Sequence, residues 1–144
     1  MSNARRQLET ARRYHEGLRA LPATDAGHDQ LRAFFENCWH VKDHAKEDLD
    51  RSLHDVFEKA AECSIYLMIA ADVANRSKHV ILKRIDRLGA AVTVKHIQAF
   101  DGPETRSATA TYTIVLRDGS SYDAVGVADH ALSDWETVLA KYGS

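Results

Sequence analysis

Net charge and cysteine are both scarce in this chain, and no apolar run is long. The formal net charge of −2 gives no general attraction to nucleic acid or to an anionic membrane. The only cysteines, Cys38 and Cys63, form no CxxC pair. Both fall within apolar helical stripes, so two reduced, buried thiols are expected. The most apolar stretch, residues 60–74, is interrupted by Glu62 and Asp72. It is also shorter than the ~20 apolar residues a spanning helix needs, and reads as a core helix. The opening MSNARRQLET has no apolar segment of the signal-peptide kind, and the expected location is the cytoplasm. A GxSxG elbow, a glycine-rich phosphate loop, internal repeats and low-complexity tracts are missing too, which leaves nucleophilic catalysis little support.

What is there is the composition of one globular domain. A chain of 144 residues, 44% hydrophobic and 28% charged, can bury a real core. Residues 1–22 read as an Arg-rich first helix in which Ala4, Leu8, Ala11, His15 and Leu18 form a narrow seam. Ser2 or Asn3 can cap it and Leu21-Pro22 ends it. So weak a seam must dock on its own domain or on another copy, and a homodimer through this helix is expected. After the connector PATDAGH, a second helix runs from about Asp29 to Asp48, with Leu31, Phe34, Phe35, Cys38, Val41 and Ala45 as its apolar stripe. Lys42 falls in the middle of that stripe, while Glu36, His40, Asp43 and Glu47 project oppositely. A third helix is expected from Ser52 to His79, packed all round between Cys63 and Ala74. Residues 28–79 thus form the helical core.

Residues 90–128 read as an antiparallel sheet. Its strands are expected over Val92 to Phe100, Ala108 to Leu116 and Ser121 to Val127, with an Asp118-Gly119 hairpin turn between the last two. Asp129 can cap a last helix, residues 129–142, whose Ala131, Leu132, Trp135, Val138, Leu139 and Tyr142 would cover a sheet face. The expected fold class is α+β: three N-terminal helices with a buried central one, about three antiparallel strands, and a closing helix.

Three groups of residues could carry function. Asp72, Asn75, Lys78 and His79 continue the core side of the third helix, and polar groups facing a core need partners. Antiparallel packing on the second helix would give them Lys42, His40 and Asp43. The group would then form a small anion or nucleotide pocket, set against the plainer reading of cations favoured at a helix C-terminus. His40 and His44 have the i, i+4 spacing of a metal chelate but lack the zincin glutamate, and a solvated polar face explains them better; no metal or other cofactor is expected. Arg5, Arg6, Arg12, Arg13 and Arg19 could touch phosphates or an acidic partner, although nucleic acid is not the favoured partner.

Two segments, LRAFFENCWHVKDHAKED (31–48) and AADVANRSKHVIL (70–82), resemble a family of small uncharacterised bacterial proteins. That family carries Trp-His-Leu-Lys-Asp-like and Ala-Asp-x-Ala-Asn-x-x-Lys-His-like motifs. YDAVGVADHALSDWETVL fits the same family's C-terminal strand and helix. The likeness covers residues 29–142 and lands on Trp39, His40, Lys42, Asp43, Asp72, Asn75, Lys78 and His79. It departs at His44, where an aromatic is usual, and at Arg76, where a small residue is usual. It implies no activity. The helical part is also distantly similar to HEPN-type ribonucleases, although only two residues separate Arg76 from His79. The expected function is therefore a non-catalytic protein- or small-ligand-binding module. The alternative is a metal-independent ribonuclease using His79 with Lys78 or Arg76.

Overall fold

The structure is a computed structural model that describes residues 2–78, 91–99 and 108–142, with side chains within 2–75 and 110–142. Its α+β class is as expected, with five helices and an antiparallel sheet among the described residues.

Helix α1 (Asn3–Glu16) starts where the Ser2 hydroxyl accepts the Arg5 N–H at 3.2 Å, the satisfaction an open helix start requires. It ends before Gly17, earlier than expected, and a 3₁₀ turn, Leu18–Ala20, follows. Ala4, Leu8 and Ala11 are buried, and the helix packs on the chain's own α2 (Asp25–Asp48) and on the last helix. The seam on which the homodimer expectation rested is thus covered within the chain. Helix α2 begins earlier than expected, at Asp25, and buries Trp39 along with the anticipated stripe.

The expected third helix is two helices, α3 (His54–Glu62) and α4 (Ile65–Lys78). Ser64 makes the break. Its hydroxyl accepts the Leu67 N–H at 3.1 Å, capping α4, and donates to the Asp134 carboxylate. This bend turns Cys63 outward, contrary to the expected burial, whereas Cys38 is fully buried. Burial pushes the Cys38 thiol up to about 12, against a smaller lowering by Trp135. The central helix is α4, with Leu67, Ile69, Ala70, Ala71, Val73 and Ala74 all buried.

Strands β1 (Ala91–Ala99), β2 (Ala108–Val115) and β3 (Ser121–Asp123) form the antiparallel sheet in that order, with a register irregularity between Val94 and His96. On β2 and just past it, Tyr112, Ile114 and Leu116 are buried and their neighbours are not, as the alternation predicts. Gly119 takes φ 90° in the hairpin turn, a conformation open to glycine at little cost. β3 is much shorter than expected. The Asp123 carboxylate accepts the Gly126 N–H at 2.9 Å and starts α5 (Ala124–Lys141) there, well before Asp129. Helix α5 packs on β2 and β3 of the sheet, as expected, and also on α4, α1 and α2. Trp135 sits at its centre, stacked on Phe57 at 6.0 Å and 6.4 Å from Trp39, with its indole N–H on the Cys38 carbonyl at 2.8 Å.

The segment before α2 ties bundle to sheet. Ala110 N–H donates to the Leu21 carbonyl and the Tyr112 hydroxyl donates to the Pro22 carbonyl, both at 2.9 Å. Gly27 closes this joint, because a Cβ there would overlap the Pro22 carbonyl oxygen and the Tyr112 hydroxyl. Among the described residues, no helix is long and apolar enough to cross a membrane.

Candidate functional site

Helix directions decide which of the expected site residues can meet. Arg5 of α1 reaches Glu136 of α5 while His15 reaches Asp129, so these helices run oppositely. Asn3 bonds Asp48 at 3.1 Å and the His15 ring lies 5.9 Å from Phe34, so α1 also opposes α2. Ser64 meets Asp134, and the Tyr66 ring stacks on His130 at 4.4 Å, so α4 opposes α5. It follows that α4 and α2 are antiparallel, as expected.

Their level along the bundle is another matter. Trp135 bonds the Cys38 carbonyl, and its neighbour Asp134 holds Ser64, so Cys38 and Ser64 stand at one height. From there Asp72 lies roughly 12 Å towards one end and Lys42 roughly 6 Å towards the other, at about 1.5 Å per residue. By this reckoning His40, Lys42 and Asp43 stand on one side of that level, and Asp72 and Asn75 on the other. A helical wheel gives direction around an axis and says nothing of height along it.

The first half of that set lies near α3. Lys42 runs its stem along the apolar stripe and places its ammonium over the Trp39 ring, 4.7 Å from the centroid and 4.0 Å from the Asp43 carboxylate. One turn on, Lys46 bonds Glu58 of α3 at 2.6 Å. That hydrogen bond is the main cause holding the Glu58 carboxyl below its ordinary range; desolvation opposes it, and the charges of Lys46, Lys42 and His54 add to it. His40 is half-buried and engaged within the chain, and His44 lies 3.9 Å from Glu47. Among the described residues, no group of three or more His, Cys, Asp and Glu side chains is disposed to hold a metal.

The second half lies at the sheet end. Asp72 is fully buried and engaged within the chain, the one charged residue so buried among those described, and Asn75 is half-buried one turn later. The side chains of Arg76 and Lys78, and all of His79, lie outside the described residues. By the same reckoning of height, Asn75 is level with the start of α2, where the His28 ring meets Tyr112 edge-on at 4.8 Å. Burial, then the charge of Asp25, raises the Tyr112 hydroxyl's pKa. The joint of Pro22, Gly27, His28 and Tyr112 was not anticipated. Its one local signal, Gly27, stood in the expected connector, and only the start of α2 at Asp25 makes it a glycine inside a helix, the mark of close approach by another segment.

A third feature is a groove of about 430 Å³ between α1 and α5, lined by Arg12, His15, Glu16, Asp129, Leu132, Ser133 and Glu136. Arg5 and Arg12 both grip Glu136, and these contacts, Arg5's first, hold its carboxyl below the ordinary range. Two of the five arginines considered for phosphate binding are thus committed within the fold, while Arg6, Arg13 and Arg19 remain exposed. Compared with known protein families, curated proteins and solved structures, the chain matches none.

Proposed function

We propose that the chain is a non-catalytic binding module whose site lies at the sheet end of α4, around Asn75. The observation that carries this reading is Asp72: a carboxylate with no exposure in the buried central helix α4. Burying a charge is costly unless it is held, so a chain that keeps one there uses it to fix something. Asp72 acts as a positioning residue for the tail of α4, and Asn75 presents its amide one turn later. The sequence continues into Lys78, whose ammonium supplies a cation, and His79. The C-terminal end of a helix repels an anion, so an anionic ligand is held there by side chains and not by backbone. A small phosphate-bearing ligand of modest affinity fits these terms.

The test is the melting temperature of wild type, Asn75→Ala and Lys78→Ala with millimolar inorganic phosphate or AMP, at matched ionic strength. Wild type is expected to melt higher with ligand, since a ligand that binds only the native state stabilises it. Both variants are expected to lose that rise while melting normally without ligand. A wild type indifferent to both ligands, or variants that respond as wild type does, would sink the reading. Single-stranded RNA is expected to survive incubation with the protein. Cleavage abolished by His79→Ala at unchanged melting temperature would assign this end of α4 to a ribonuclease instead, with His79 as acid or base and Lys78 or Arg76 on the phosphate.

A further inference from the structure

Helix α1 lies close along α2, yet contributes few buried side chains to the core. It fully buries only Ala4, Leu8 and Ala11, whereas α5 buries Val127, Leu132, Trp135, Val138 and Leu139 among others. Polar rails flank this thin apolar stripe on both sides. Towards α2, Asn3 and the Ala4 N–H bond Asp48, and Gln7 bonds Asn37 at 3.1 Å. Towards α5, Arg5 and Arg12 grip Glu136 and His15 grips Asp129. The α5 rail is partly open to water, with the Glu136 side chain 41% and the Asp129 side chain 53% exposed. Such pairs are individually weak and are screened by salt.

The chain beyond α1 has its own anchors. Leu18 and Leu21 are buried, and the Leu21 and Pro22 carbonyls are bonded from β2. These contacts do not involve α1, so the helix can leave without pulling on the joint between bundle and sheet.

From these observations we infer that α1 is a releasable strap: it detaches as a unit, hinging near Gly17, and bares the α2–α5 surface beneath it while the rest stays folded. Segments with few buried apolar contacts and solvent-accessible polar contacts are the ones that open locally below the global unfolding free energy. Release uncovers Phe34, on which His15 now rests, and frees the carboxylates of Asp129 and Glu136 along its edge. The bared surface is apolar with an acidic margin, and loss of the arginines from Glu136 is the event that opens it.

Amide hydrogen exchange on the full chain tests this, in low salt and at about 1 M salt, where the screening length falls to about 3 Å. Exchange within residues 7–16 is expected to quicken roughly tenfold in high salt, with α4 and α5 amides unchanged. Glu136→Gln is expected to reproduce the effect in low salt. The Arg5→Gln/Arg12→Gln pair reaches the same contacts from the other side, should Glu136→Gln disturb α5. If α1 amides exchange in step with those of α4 under every condition, or if salt and both variants leave them unmoved, the strap does not exist.

Discussion

The two ends of the helical bundle are held by opposite means. Near α3, large side chains meet: Trp135 stacks on Phe57 and leans on Trp39. At the sheet end, backbone comes close instead: Gly27 packs against the Pro22 carbonyl, and the Tyr112 hydroxyl closes over both. One end depends on volume being present and the other on its absence. A substitution that empties space should therefore damage the first end, and one that fills space should damage the second.

The largest effect is expected from Trp135→Ala. The indole is fully buried among rings from two other helices and also satisfies the Cys38 carbonyl. Truncating a buried aromatic to alanine costs about 3–5 kcal/mol through lost transfer energy and an unfilled cavity. Urea unfolding followed by circular dichroism measures it. A loss below about 1 kcal/mol would mean that this end tolerates empty space, which removes the contrast.

Gly27→Ala reverses the logic. In a free helix, alanine in place of glycine is favourable by about 1 kcal/mol. Here the new methyl overlaps a carbonyl oxygen and a phenol held by a hydrogen bond of 2.9 Å, so two elements must part. A net loss of about 1–3 kcal/mol is expected, the range for overpacking, with Tyr112→Phe in the same background recovering part of it. Stabilisation by Gly27→Ala in the same urea experiment would show that helix propensity governs position 27 and that the close approach is unimportant.

The contrast also explains what could be read from the sequence. Period and local chemistry were legible: the stripe of α2, the alternation Tyr112, Ile114, Leu116, the Asp118-Gly119 turn, and the inward face of Asp72 are all one-dimensional patterns that sheet and helix geometry turn into burial. The division at Ser64 was not, because residues 52–79 keep an apolar period across it and the hydroxyl's partner, Asp134, is seventy residues away. Asp123 and Asp129 are equally good caps by type, and Val125 and Val127 favour a strand, so the start of α5 was settled by burial of Ala124 and Val127 rather than by propensity. Heights along the bundle come from contacts such as Trp135 on Cys38, which no local pattern encodes.

The smallest effect sharpens the comparison at its rim. Lys46 and Glu58 close the edge of the aromatic end, but the Glu58 side chain is 36% exposed, and solvent screening keeps such a pair weak. Its folded pKa lies below the ordinary value of 4.5, chiefly because of the Lys46 hydrogen bond. A carboxyl depressed in the native state contributes stability above its unfolded pKa and loses that contribution as pH falls through the folded one. Glu58→Gln should therefore melt slightly below wild type at neutral pH, with the gap narrowing in acid and in high salt. Melting curves of both proteins from neutral pH down to about pH 3 measure the gap. A gap constant with pH would mean that the carboxylate contributes shape and not charge, leaving the aromatic end held by packing alone.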